Sequence, residues 1–213
     1  NSTASDLSVS VSGTYYVVVT DSNGCSGSDS VVVEVLSSSN ALSLKGILDL
    51  TVPSGGVSGK GIHLYADNSI ADLSIYGLGV ANNGGGSDGE EFTLPSISVS
   101  AGEDIMIYRD SSAYASYFAS CFSEFDVLIV GNNNIDQNGN DAIELFKNGQ
   151  LIETFGDVNV DGTGQSWEYL DSWAFKDVSG WIYGVVNCSD GSDSTQVSNC
   201  IYPICQPNSC VDT

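Results

Sequence analysis

Short runs of β-branched and aromatic residues, separated by turns of glycine, asparagine and serine, constrain this chain more than any other feature. YYVVVT at residues 15–20 and SVVVEV at residues 30–35, for example, flank a turn-like stretch that contains Asn-Gly. β-Branched side chains pack well on a pleated sheet, and Asn-Gly favours the tight turn of a hairpin. Only residues 111–121 (SSAYASYFASC) place aromatic side chains at helical spacing. The pattern therefore predicts an all-β sandwich with one short helix.

A polar stretch, LSSSN at residues 36–40, favours a domain boundary. We predict a first region at residues 1–38, a β-domain at 39–186 and a disulfide-rich tail at 187–213. Within the β-domain, Lys147-Asn-Gly149 predicts a tight hairpin. The predicted strands are residues 7–11, 15–20, 30–35, 42–52, 61–66, 73–80, 91–94, 104–108, 127–130, 142–146, 151–155 and 173–175.

The first region contains SGTYYVVVTDSNGCSGSDSVVVEV at residues 12–35. This segment resembles the last two strands of the immunoglobulin-like repeats in large secreted adhesins of gliding bacteria. An immunoglobulin-like domain has about seven strands. The resemblance therefore implies that residues 1–38 are only part of such a domain.

Three further segments resemble a lamin-tail domain of the bacterial secreted type, in that family's order. They are GKGIHLYADNSIADLSIYGLGVANN at residues 59–83, EFTLPSISVSAGEDIMIYR at 91–109, and NGNDAIELFKNGQLIETFGDVNVDGTGQSWEYLDSWAF at 138–175. The resemblance implies an immunoglobulin-like β-sandwich. In secreted bacterial proteins this fold accompanies nucleases, phosphatases and adhesins without being their catalytic part. The acidic charge and the cysteine-rich end depart from the nuclear lamin tail.

The charge balance is strongly negative, with 27 Asp and Glu residues against 5 Lys and Arg and a formal net charge of -22. Such a field repels phosphate groups, so we expect no nucleic-acid partner. It attracts divalent cations, and it also suits a protein that must stay soluble in a salty medium, where screening relieves self-repulsion. No apolar run is long enough to span a bilayer, so we expect no membrane insertion.

The six cysteines include four in the last stretch and no CxxC pair. This pattern predicts disulfides rather than zinc ligands, and therefore an extracellular or cell-surface protein in an oxidising environment. The short polar loop between Cys188 and Cys200 favours direct closure. The other predicted disulfide cysteines, which pair in an order that the sequence leaves open, are Cys25, Cys121, Cys205 and Cys210.

Two asparagines stand in the glycosylation acceptor pattern, Asn1 in Asn-Ser-Thr and Asn187 in Asn-Cys-Ser. We include both as possible glycosylation sites.

The stretch DVNVDGTGQSWE at residues 157–168 follows the register D-x-N-x-D-G-x5-E, the calcium-loop pattern of an EF-hand. Calcium prefers closely spaced oxygen ligands, with a glycine at the sharp turn and a distal Glu. The flanking segments look like strands rather than helices. The pattern therefore fits either a calcium loop between strands or a plain Asp-Gly turn. The predicted calcium ligands are Asp157, Asn159, Asp161, Thr163, Gln165 and Glu168.

Trp167, Tyr169 and Trp173 concentrate aromatic side chains in one segment. If the three lie in one extended strand, they share a face. Exposed in a row, they would stack on the apolar faces of a polysaccharide. In an all-β domain, however, tryptophans more often fill the space between sheets. Both alternatives stay open.

No catalytic motif is present, and the sole histidine, His63, lies in the strand-like segment IHLY, which favours a structural or surface side chain. We therefore expect no enzyme. The favoured hypothesis is a calcium-stabilised adhesion or assembly module of a secreted or cell-surface protein. Its hairpin would either donate strands to another copy in a fibre or belong to a domain that upstream residues of the same polypeptide complete. Its partners would be other copies of the chain or neighbouring domains. The alternatives are a carbohydrate-binding accessory domain and the accessory domain of a secreted nuclease or other hydrolase.

Overall fold

A computed structural model of the chain describes residues 13–33, 40–52 and 55–206. The chain divides into two compact units, Asn1–Ser39 and Asn40–Thr213. The strand predicted at residues 7–11 lies outside the described residues.

The first unit contains an antiparallel hairpin of β1 (Gly13–Thr20) and β2 (Ser26–Val33). Its turn is stabilised by the Asp21 carboxylate, which accepts hydrogen bonds from the backbone N–H groups of Asn23 and Cys25. The sequence predicts that the second strand begins at Ser30, but pairing extends back to Ser26, opposite Thr20. Polar residues can join the strand because pairing depends on the backbone.

The second unit contains ten strands and one short α-helix within its described residues. The elements are β3 (Leu42–Asp49), β4 (Lys60–Ala66), β5 (Tyr76–Ala81), β6 (Phe92–Thr93), β7 (Asp104–Tyr108), α1 (Ser111–Phe118), β8 (Val127–Val130), β9 (Ala142–Lys147), β10 (Gln150–Phe155), β11 (Ser172–Asp177) and β12 (Gly180–Tyr183).

These strands form two sheets, with orders β12-β11-β3-β4-β7-β8 and β10-β9-β5-β6. All pairs are antiparallel except β7 with β8, which is parallel. The main core lies between the sheets, where side chains such as Leu44 and Ile62 of the larger sheet belong to one buried cluster with Leu78 and Leu145 of the smaller sheet. The predicted all-β architecture with one short helix is confirmed. The immunoglobulin-like and lamin-tail identity stays a prediction.

A second core covers the other face of the larger sheet. Met106 and Tyr108 of β7 pack there with Phe118 of α1 and with Tyr202 and Cys205 of the C-terminal segment. The segment that the sequence separates as a tail is thus packed on the sandwich over its described residues.

Two disulfides hold this segment in place. The predicted Cys188–Cys200 pair is present, and Cys121 is bonded to Cys205. Cys25 is exposed and is bonded to no described cysteine. Cys210 lies outside the described residues, so the predicted oxidation of those two cysteines stays a prediction.

Several boundaries differ from those predicted, for local reasons. Helix α1 ends at Phe118 and continues as a 3-10 turn, and its N-cap is Asp110, whose carboxylate accepts hydrogen bonds from two backbone N–H groups. Strand β5 begins at Tyr76 rather than at residue 73, because Leu73–Ile75 forms a 3-10 turn capped by Asp72. Strand β12 was not predicted.

Candidate functional sites: an exposed hairpin and a polar loop cluster

The hairpin of the first unit exposes apolar side chains on both faces. Its register puts Val17 and Val31 on one face, and Tyr16, Val18 and Val32 on the other. Tyr16, Val18 and Val32 are 74%, 65% and 70% exposed. Single exposed apolar residues are ordinary, but a contiguous set makes the hairpin a candidate interaction surface.

The hairpin is also nearly uncharged, although the chain is strongly acidic. Asp21 and Asp29 are the only charged side chains of residues 13–33. Among the described residues, neither β1 nor β2 pairs with a third strand. Within residues 13–33, the outer edge of each strand has no partner strand, and an unpaired edge can accept another strand.

The predicted calcium loop separates into two local structures. The Asp157 carboxylate accepts a hydrogen bond from the backbone N–H of Asn159, and the Asp161 carboxylate accepts one from the N–H of Thr163. Both arrangements are Asx turns, in which an aspartate bonds the backbone two residues ahead. Glu168 instead accepts from the backbone N–H of Gly164 at 2.8 Å. These contacts stabilise the loop locally.

Asn140 joins the second half of this loop to another part of the chain. Its Nδ2 lies 2.8 Å from Asp161 Oδ1, 3.0 Å from Thr163 Oγ1 and 3.2 Å from Asn83 Oδ1. Hydrogen bonds from Thr163 and Asn140 hold the pKa of Asp161 below its usual value. We call Asn83, Asn140, Asp161 and Thr163 the oxygen cluster.

The neighbouring Asp141 positions the loops that carry this cluster. Its Oδ1 accepts from the backbone N–H of Asn83 at 2.7 Å, and its Oδ2 accepts from that of Asn138 at 3.0 Å. Burial raises the pKa of Asp141, against these two hydrogen bonds. The backbone N–H of Gly162 donates to the carbonyl of Asn140 at 2.9 Å. Three loops are thereby tied together.

Asn83 and Asn140 do not stand out in the sequence as ligands. Each lies in a glycine-containing turn beside a strand end, which is ordinary for asparagine. The only indication is their position, since Asn83 follows β5 and Asn140 precedes β9. These two strands are neighbours, and their register pairs Ala81 with Ala142, which places the two asparagines near each other. Gln165, a predicted calcium ligand, forms backbone hydrogen bonds with Gly162 and Glu168.

The sole histidine is fully buried in the second unit. His63 Nδ1 is 3.0 Å from the Tyr202 hydroxyl, and Nε2 is 2.7 Å from Asp104 Oδ1. Burial lowers the pKa of His63, although Asp104 acts in the opposite direction. The ring is enclosed by Phe125, Phe175 and Tyr202, with centroid distances of 5.2, 6.2 and 5.9 Å. It thus joins β4 to the C-terminal segment inside a packed core.

The three aromatic residues considered for sugar stacking do not form an exposed row. Tyr169 is fully buried in the core between the sheets, Trp173 is buried in the second core, and Trp167 is partly buried. Tyr169 and Trp173 are not in one strand, because β11 begins only at Ser172. The condition under which the three would share a face is therefore not met.

Of the two possible glycosylation sites, Asn187 is exposed, and Asn1 lies outside the described residues. The serine of the Asn187 pattern, Ser189, is fully buried and donates from its hydroxyl to the carbonyl of Asp171.

Within the described part of the chain, no group of three or more His, Cys, Asp and Glu side chains is arranged to hold a metal ion. No helix there is long and apolar enough to cross a membrane. Comparisons with protein-family models, curated proteins and solved structures found no match to this chain.

Proposed function

We propose that the chain is a non-catalytic extracellular module that acts in assembly or adhesion, and that its β1–β2 hairpin docks onto strands of another copy. The observation that carries the proposal is the exposure of apolar side chains on both faces of this hairpin. A two-stranded hairpin is only marginally stable in water. Added strands would extend its backbone pairing and cover part of its apolar surface.

The charge distribution favours a second copy as the occupant. Pairing two whole acidic surfaces would bring many like charges together, whereas residues 13–33 carry only Asp21 and Asp29. Two hairpins can therefore approach edge to edge with little repulsion. Strand addition of this kind obtains its affinity from main-chain hydrogen bonds and its specificity from alternate side chains. A head-to-tail arrangement that does not close would produce an open fibre.

The extracellular setting is supported by the two disulfides, since disulfides persist in oxidising environments. The burial of His63 supports a non-catalytic function, because the ring has no room for a substrate.

Sedimentation velocity over a range of protein concentrations tests the proposal. All proteins carry Cys25→Ser, so that the exposed thiol does not link copies covalently. The parent should associate as its concentration rises. The double variant Val17→Asp and Val31→Asp, which places two charges on one hairpin face, should remain a monomer at the same concentrations.

The matched control is the double variant Val178→Asp and Val197→Asp, which adds the same charge at two exposed valines of the second unit. It should associate as the parent does. A parent that stays monomeric throughout would contradict the proposal. So would a control that dissociates as fully as the hairpin variant, because general charge repulsion would then explain both results.

A further inference from the structure

The nitrogen of the Asn140 carboxamide lies near more acceptors than it has hydrogens, and its oxygen has no hydrogen-bond partner. An amide nitrogen carries two hydrogens. Asn140 Nδ2 nevertheless lies within 3.2 Å of three oxygens, on Asn83, Asp161 and Thr163. Its Oδ1 is buried and has no hydrogen-bond partner. The surroundings of this side chain therefore supply more oxygen than the amide can use.

A carboxamide keeps nearly the same shape when its oxygen and nitrogen exchange places. In the exchanged orientation, Asn140 Oδ1 would lie roughly 3 Å from the three surrounding oxygens, a separation typical of neighbouring ligands around Ca²⁺, whose Ca–O distances are about 2.3–2.6 Å. The exchange gives up the contacts that Nδ2 makes to these oxygens, and a bound cation would replace the amide as their positive partner. Four oxygens this close repel one another unless a cation lies among them.

We propose that the oxygen cluster of Asn83, Asn140, Asp161 and Thr163 binds a hard divalent cation, for which calcium is the appropriate probe. Asp161 supplies the carboxylate, whose orientation is held by a hydrogen bond from the backbone N–H of Thr163. Two carboxamides and one hydroxyl supply neutral oxygens of the kind that calcium accepts.

A cavity of about 250 Å³ adjoins the cluster and is lined by Asn138, Asn140, Thr163, Glu168 and Leu170. It gives an ion and its remaining water ligands access to the cluster. Glu168 brings a second carboxylate to the same cavity. With so few carboxylates, we expect an affinity in the range of about 10⁻⁴ to 10⁻³ M that is usual for extracellular calcium modules.

This site differs from the calcium loop read from the sequence. It uses Asp161 and Thr163 but replaces Asp157 and Asn159 with Asn83 and Asn140, which come from other loops. Asp157 serves instead as the acceptor of a local turn. The site belongs to the second unit and does not depend on the proposed pairing of hairpins.

Calcium titration of the full chain by calorimetry tests the proposal, with terbium luminescence as a second signal. Trp167 packs against Gly162, which lies between Asp161 and Thr163, so it is well placed to sensitise a bound terbium ion. Asn140→Ala should weaken binding of either ion at least about tenfold, as loss of a ligand should cost no less than loss of an outer-shell partner. Asp157→Asn should bind within about twofold of the parent, because its carboxylate lies outside the cluster.

The comparison separates the cluster from general electrostatic attraction. Asp157→Asn removes a negative charge, whereas Asn140→Ala removes none, so attraction to the acidic surface alone predicts the opposite order. A loss with Asp157→Asn as large as that with Asn140→Ala would overturn the proposal in favour of the sequence-register loop. Absence of saturable calcium binding to the parent would overturn it outright.

Asn140→Asp keeps the experiment informative if Asn140→Ala fails to fold. Its new carboxylate would lie beside Asp161, so without calcium this variant should melt below the parent. With excess calcium it should gain more in melting temperature than the parent gains, because the ion then has an additional charged ligand. An equal calcium-induced shift in both proteins would count against the cluster.

Discussion

Replacing Asp49 by asparagine should remove a loss of folding stability that the second unit undergoes as the pH rises. Asp49 is 6% exposed and lies opposite Lys60 in the pairing of β3 with β4. Burial raises the pKa of Asp49 from 3.8 to about 6, although the Lys60 ammonium acts in the opposite direction. The Lys60 Nζ is 4.0 Å from the carboxylate and donates shorter hydrogen bonds to the carbonyls of Asp136 and Gln137. The lysine therefore compensates only part of the cost of burying the charge.

The size of the effect follows from the difference between the folded and unfolded pKa values. That difference is about two units, and each unit corresponds to about 1.4 kcal/mol, so the full effect is roughly 3 kcal/mol. Because the folded pKa of Asp49 is the higher one, its favourable contribution is complete below about pH 4 and is lost as the pH rises through about 6. Relative to Asp49→Asn, the parent should therefore lose up to roughly 3 kcal/mol between pH 4 and pH 7.5.

Urea unfolding with the disulfides intact, repeated from pH 4 to pH 7.5, measures this difference. His63 and the other titrating groups that do not interact with Asp49 contribute equally in both proteins, so their contributions cancel in the comparison. Asp67→Asn, at an exposed aspartate, is the matched control and should differ from the parent by a constant amount at all pH values. A constant difference for Asp49→Asn as well would refute the reasoning, because burial would then impose no cost on the charge.

The covalent and hydrogen-bonded attachments of the C-terminal segment lead to two further predictions, both measured by urea unfolding. Replacing Cys121 and Cys205 together by alanine opens a link across 84 residues and should cost about 4.5 kcal/mol by chain entropy. The same change at Cys188 and Cys200 opens a link across 12 residues and should cost about 3 kcal/mol, so the reverse order would contradict the entropic account. Tyr202→Phe removes the hydroxyl 3.0 Å from the sole histidine and should cost about 1–3 kcal/mol through the unpaired ring nitrogen, whereas an unchanged stability would show that this contact contributes nothing.

The features predicted correctly from the sequence are those governed by neighbouring residues. The Asn-Gly pair after Lys147 forms the expected hairpin turn, with φ of 50° at Asn148 and 70° at Gly149, because both positions tolerate the left-handed conformation. The β-branched runs form strands, and the loop from Cys188 to Cys200 is closed by a disulfide. Each of these outcomes depends on contacts within a short segment.

Contacts between distant segments could not be predicted from the sequence. His63 is held by Tyr202, which is 139 residues away, and Asn140 meets Asn83 from 57 residues away. The calcium-loop register treats residues 157–168 as one ring of ligands. In the structure the Asp157 carboxylate accepts a hydrogen bond within its own turn, and the Asp161 carboxylate accepts one from Asn140, while calcium binding by this ring stays a prediction. A linear pattern contains no information on which of two acidic residues a distant loop will contact.

The strand order nevertheless explains why these particular loops meet. Strand β9 lies between β5 and β10 in the smaller sheet, and it is antiparallel to both. The same end of the sheet therefore contains the end of β5, the start of β9 and the end of β10. The loops that adjoin these strand ends carry Asn83, Asn140 and Asp161. A bound cation would stabilise this end of the sandwich by mass action. The proposed hairpin pairing involves β1 and β2 of the first unit, whereas the proposed calcium site lies in the second unit. Calcium binding and self-association can therefore succeed or fail separately, and the two sets of variants distinguish them.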